Sequence, residues 1–200
     1  MMYSLDSFKE DCIACPPEYI ISKWVMEKLP FIFNGNYENY IKAKLLISKL
    51  LKIDSCSIIF VGSSSTGFSL NPKKEFRIFN ATSDIDIAII SYHYFNIAWY
   101  SLINANIRDM VPSVVSAINE HRQRLIYYGT IATDRILGIL PFGEEWLQAM
   151  NELSDVPEFA DRKINFRLYK DHESLRAYHV NNINKNIFNT FGVEPESKLL

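Results

Sequence analysis

The stretch Ser83–Ile90, "SDIDIAII", decides how the rest of the chain is read. Apolar and polar residues alternate through it, and in a strand residues two apart share a face. Ile85, Ile87 and Ile89 point to one side, while Asp84, Asp86 and Ala88 point to the other. One side seeks a core. The opposite side presents two carboxylates together, and their repulsion is relieved only by a cation or abundant solvent.

Upstream, in "SIIFVGSSSTGFSL" (57–70), a short apolar run stops at Gly62. Gly67 follows, with Ser63, Ser64, Ser65 and Thr66 between the two glycines. The chain has only 7 glycines, so two in one short stretch mark a place where the backbone comes close to something. Glycine at a strand end, followed by hydroxyl residues that open a helix, leaves backbone N–H groups for a phosphate. Gly62, Ser63, Ser64 and Gly67 are the phosphate-binding candidates.

Downstream, "KINFRLY" (163–169) alternates again. Ile164, Phe166 and Leu168 form its apolar face; Lys163, Asn165, Arg167 and Tyr169 form the other. Both alternating segments have an apolar face to share, so they are expected to lie side by side, with Asn165 toward Asp86. Lys163 and Arg167 can bind phosphate oxygens there.

Most of the remaining chain reads as helix. "PPEYIISKWVMEKL" starts with proline and carries a stripe at Ile20, Ile21, Trp24, Val25 and Leu29. "YENYIKAKLLISKLLKI" is a second helix with Tyr40, Ile41, Leu45, Ile47 and Leu50 expected inward. Further helices are expected at "YFNIAWYSLINANI", "VPSVVSAINEHRQRLIY", "EEWLQAMNEL" and "DHESLRAYHVNNINKNIF", the last with Asp171 as N-cap. "YYGTIATDRILGILPFGEEW" reads as core and turn. Residues 1–17 read as a loose segment. Its Cys12 and Cys15, with Cys56 in the first strand, lack the second ligand pair of a zinc site. The expected fold class is α/β, of the α+β kind: a small mixed sheet covered by helices, with helices at both termini. It forms one domain over 1–200, with the motif-bearing core at 55–91 and helices plus one later strand at 92–200.

An apolar fraction of 48% and an aromatic fraction of 14% supply a sizeable core. A net charge of -2 gives no global pull toward nucleic acid, and "NPKKEFR" and "EHRQR" are too short to argue for it. No apolar run approaches the roughly 18 residues of a membrane span. The polar, acidic N-terminus is not a signal peptide, so the expected compartment is the cytoplasm, with reduced cysteines.

At Gly62, Ser63 and Gly67, then Asp84 and Asp86, the sequence resembles the nucleotidyltransferase superfamily of the DNA polymerase β type. The signature is G-S-x-x-x-G, a polar spacer, and an acidic-x-acidic strand; Ser83 and the apolar run after Asp86 also fit. Over 57–90 it is most similar to small bacterial members: the minimal nucleotidyltransferases of toxin–antitoxin pairs and phage-defence loci, and the aminoglycoside-modifying type. The resemblance implies an enzyme. Asp84 and Asp86 would hold Mg²⁺ or Mn²⁺, and Gly62 and Ser63 would bind the triphosphate tail of an NTP. A nucleoside monophosphate would pass to an RNA such as a tRNA end, a protein or a small molecule. A cognate partner protein is part of the same expectation.

Three departures stand out. The spacer "FSLNPKKEFRIFNATS" is longer than in compact members, and "KKEFRIFN" reads as an added hairpin or loop beside the site. Thr66 stands where a basic residue is frequent. Asn165 occupies the place of the family's third acid on the later strand, and an amide cannot act as a base at neutral pH. Asp161 and Asp171, near that strand's ends, are the alternative acids. The rival class is therefore a degenerate transferase fold that binds nucleotide or a partner without turnover.

Overall fold

The computed structural model describes residues 4–192. In chain order the regular elements are α1 (Leu5–Ala14), α2 (Pro17–Ile21), α3 (Tyr37–Leu51), β1 (Ile58–Val61), α4 (Gly62–Thr66) and β2 (Ile85–Ile90). There follow α5 (Tyr92–Asn104), α6 (Pro112–Glu120), β3 (Thr130–Ala132), α7 (Gly143–Leu153), β4 (Ile164–Tyr169), α8 (His172–Asn182) and α9 (Asn189–Phe191). The strands form one mixed sheet in the order β1-β2-β4-β3. β2 and β4 are central and parallel; β1 and β3 are antiparallel edges. The mixed sheet covered by helices is the fold class the alternating segments imply, and the pairing of β2 with β4 is as expected.

Strand alternation separates two cores. Ile58, Phe60, Ile85, Ile87, Ile89, Ile164, Phe166 and Leu168 pack on one side against α3, α5 and α7, around Ile47, Ala98 and Trp146. On the other side Val61, Ala88, Ile90 and Tyr169 pack against α1, α2 and α8, with Phe8, Trp24, Leu175 and Phe188. Asp86, Asn165 and Arg167 belong to this second face, at the end the helices leave partly open.

The N-terminal segment differs from its reading as loose. Ser4 caps α1 by accepting from Ser7 N–H, and Phe8 and Cys12 are fully buried. Trp24 Nε1 donates to Asp11 at 2.7 Å, and Lys23 pairs with the same carboxylate. Phe8 buries itself against rings far along the chain, Trp24 and Phe68, which a local reading cannot supply. α3 also differs. At about 100° per residue, a face centred on Ile47 includes Tyr40, Ala43 and Leu51, with Leu50 at its flank. Ile41 and Leu45 fall on the far side, and they are 40% and 56% exposed. Cys56 is exposed, in a tight turn before β1 rather than in the strand. Among the described residues, no helix is long and apolar enough to cross a membrane.

Candidate functional site

Strand directions bring the motif residues together. β1 runs antiparallel to β2, so its last residue, Val61, is in register with Asp86 near the start of β2. β4 runs parallel to β2, so its second residue, Asn165, faces Asp86 from the other side. Lys163 O accepts from Ile85 N–H at 2.8 Å, fixing the start of β4 beside the start of β2. Gly62, Asp84, Asp86, Lys163 and Asn165 therefore sit at one end of the sheet.

Gly62 is required there twice over. Its φ is +65°, in the left-handed region, and a Cβ on it would lie 2.8 Å from Asp86 Oδ2. The turn beyond it is locked from within. Ser64 Oγ donates to Val61 O at 3.0 Å. Thr66 Oγ1 bonds to Gly62 O at 3.1 Å and to Phe68 O at 2.5 Å. Gly67, at φ +88°, ends α4 by donating to Ser63 O at 2.9 Å, with the Phe31 ring against its Cα. One of the expected phosphate contacts is thus corrected: the Gly67 N–H is already used. The Ser64 side chain is buried and turned back on β1, which leaves only its backbone N–H for the site. Gly62 and Ser63 remain half-exposed at the site, and no side chain caps the first turn of α4. Thr66, at the frequently basic position, is a buried tie of the turn.

Asp84 is exposed just ahead of β2, and Asp86 is half-buried. Asn165 Nδ2 donates to Asp86 Oδ1 at 3.2 Å, while Asn165 Oδ1 is buried with no hydrogen-bond partner among the described residues. Burial pushes the Asp86 carboxyl above its ordinary value. The Asn165 hydrogen bond and the Arg167 charge oppose the rise, Asp84 adds to it, and Lys74 opposes it. Arg167 lies deeper on the same face, its Nη1 donating to Tyr178 OH at 2.7 Å. Lys163 is exposed at the rim. Asp161 and Asp171 do not supply a third acid. Asp161 is exposed in a left-handed turn ahead of β4, and Asp171 caps α8 at the opposite end of that strand.

The long spacer folds back as a hairpin. Phe68 and Ile78 form an antiparallel bridge, Ser69 N–H donates to Arg77 O, and Phe79 N–H donates to Gly67 O. Its turn carries Lys74, whose charge reaches Asp86. Arg162 stacks on Phe79, 4.6 Å from the ring centre, and donates to Asn80 O and Ser83 O. It thereby holds the turn that delivers Asp84. Sequence reading missed Lys74 and Arg162 as site residues; the paired lysines inside the spacer were the available signal for the first, and the second had none.

Among the described residues no group of three or more His, Cys, Asp or Glu side chains is placed to hold a metal ion. Mg²⁺ does not need one, since it binds through one or two carboxylates and completes its shell with water and substrate phosphate. Asp84, Asp86 and the unpartnered Asn165 Oδ1 are hard oxygen donors of that kind, so these residues fit Mg²⁺ or Mn²⁺. Two hollows lie elsewhere: about 870 Å³ along α6, and about 690 Å³ at the far end of the sheet beside Tyr128 and Lys170. A smaller one of about 500 Å³, lined by Phe31, Phe79, Asn80 and Arg162, borders the turn leading to Asp84. The chemistry, not the cavity size, picks out the site. No family model, no curated protein and no solved structure matches this chain.

Proposed function

We propose that the chain is a metal-dependent nucleotidyltransferase that passes a nucleoside monophosphate from an NTP to a hydroxyl of an RNA, a protein or a small molecule. One observation carries the reading: Asp86 stands in register between Val61 and Asn165, so a strand-end glycine and this carboxylate share one end and one face of the sheet, with Asp84 just ahead of the strand and its charge bearing on Asp86. Gly62 and Ser63 bind the triphosphate tail by backbone N–H groups, and Lys163, Lys74 and Arg167 add positive charge. Bound at Asp84 and Asp86, Mg²⁺ or Mn²⁺ would neutralise charge on the phosphates. The acceptor oxygen bonds to the α-phosphorus as the bond from that phosphorus to the bridging oxygen breaks, and pyrophosphate leaves. Asn165 is not basic, so the hydroxyl proton passes to water.

That same asparagine favours a second reading, a nucleotide-binding protein without turnover. Its amide already satisfies one oxygen of Asp86 at the place where the resemblance expects an acid.

Incubation with each α-labelled triphosphate, Mg²⁺ or Mn²⁺, and total RNA, protein or small-molecule extract tests both. Label transferred by the wild type and lost in Asp84→Ala supports the enzyme, and the labelled material names the acceptor. Metal-dependent nucleotide binding without transfer supports the second reading. Neither binding nor transfer refutes both.

A further inference from the structure

Arg167 follows Asn165 by two residues on β4, on the same face of the sheet. Its register partners are Ala88 on β2 and Ala132 on β3, so the long side chain has room to lie along the sheet. The guanidinium has five N–H donors, and among the described residues one is used, by Nη1 to Tyr178 OH. It also lies 5.3 Å from the centre of the Tyr178 ring. Among the described residues no carboxylate is within ion-pair distance of it. The charge of Asp86 bears on it. Tyr169 and Tyr178 flank it, and His179, packed beside Tyr169, is held neutral by desolvation and by Arg167 itself.

The half-buried guanidinium has no carboxylate against it, and the donors it leaves to solvent can turn to an anion. Its planar fork matches phosphate oxygens two at a time. Lys74, Lys163 and Arg167 set positive charge beside the two carboxylates of Asp84 and Asp86, so the cluster lacks the negative charge that a pair of divalent ions needs. Asn165 in place of an acid shifts the balance the same way.

We propose that Arg167 acts as the site's second cation: one divalent ion is held at Asp84 and Asp86, and the guanidinium grips the triphosphate directly where a second ion would otherwise sit. The proposal rests on the triphosphate reading of the site given above.

The test is Mn²⁺ titration followed by electron paramagnetic resonance, with Mn²⁺ alone and with each of the four α,β-imido nucleoside triphosphates, beside calorimetry of the same triphosphates. The wild type is expected to hold one Mn²⁺ per complex. Arg167→Met should bind Mn²⁺ alone severalfold more tightly, because a nearby positive charge is gone, and the triphosphate about tenfold or more weakly, because charge-assisted hydrogen bonds are lost. A merely structural arginine would not move the two affinities in opposite directions. Arg167→Lys keeps the charge without the fork, and serves if the methionine variant does not fold. It should leave Mn²⁺ affinity unchanged and weaken the triphosphate about fivefold or more. Two Mn²⁺ in the wild-type complex, or triphosphate affinity unchanged in Arg167→Lys or in folded Arg167→Met, overturns this proposal alone. A wild type that binds none of the four triphosphates overturns it together with the reading of the site.

Discussion

Gly62→Ala probes the contact on which the site turns. An alanine at φ +65° sits in the left-handed region, at a strain of roughly 1–2 kcal/mol. Its Cβ would also lie 2.8 Å from Asp86 Oδ2, so the carboxylate must move, and its hydrogen bond from Asn165 at 3.2 Å is lost or bent. Losing a hydrogen bond to a charged acceptor costs about 1.5–3 kcal/mol when buried, and nearer 1 here because Asp86 is only half-buried. Reduced entropy of the unfolded chain returns about 0.4–1 kcal/mol. The net destabilisation is roughly 1–3 kcal/mol, which for a chain of this size lowers Tm by about 2–12 °C. The assay is a double-mutant cycle with Asp86→Ala, read by urea unfolding. In that background the closest Asp86 atom left is Cβ, at 3.6 Å, an ordinary contact. The left-handed strain stays and the carboxylate clash disappears, so Gly62→Ala should cost about 1 kcal/mol less than in the wild type. Additivity within about 0.3 kcal/mol would show that Gly62 and Asp86 do not touch, and the reasoning about the site would fail.

Asp84→Ala and Asp86→Ala should each abolish Mg²⁺-dependent nucleotide binding by calorimetry while near-UV circular dichroism stays native. Burial raises the Asp86 pKa, so the folded state holds its proton more tightly than the unfolded chain does, and stability falls as pH rises through the window above about 4. Asp86→Asn should remove that fall, seen as a flatter urea-midpoint profile from pH 3.5 to 6. His121 is buried, with Nδ1 bonded to Ala117 O at 2.6 Å and Nε2 accepting from Ala132 N–H at 3.0 Å, so it must stay neutral. Burial lowers its pKa, and desolvation lowers that of His179 to about 4. Both contributions are complete above about pH 6.5 and are lost as pH falls, with a slope of up to ~1.4 kcal/mol per pH unit for each histidine. His121→Phe should remove one histidine's share of that slope. It should also cost about 1–3 kcal/mol at pH 8, because the buried Ala132 N–H loses its acceptor. Thr66→Val should cost about 1–3 kcal/mol by freeing the buried Phe68 carbonyl, without moving the Mn²⁺ affinity of the aspartates.

Sequence alone determined what strand periodicity and punctuation control. Alternation in "DIDIAII" and "KINFRLY" set which residues face the core and which face the site, because side-chain direction in a strand repeats every two residues. Gly62 marked the end of β1, and Asp171 marked the start of α8. Tertiary structure decided the rest. β3 is three residues long, and "TIA" is a strand only because Thr130, Ile131 and Ala132 find Tyr169, Leu168 and Arg167 beside them. Leu5–Ala14 is an ordered helix because Phe8 meets Trp24 and Phe68, and Asp11 meets Lys23 and Trp24. Whether a serine in "GSSSTG" points outward or ties the turn was settled by carbonyls that only the folded turn presents, Val61 O to Ser64 and Phe68 O to Thr66. Local spacing fixes direction along a chain, but contacts between segments tens of residues apart depend on which surfaces finally pack. For that reason Lys74 and Arg162 came into view at the site only in the fold.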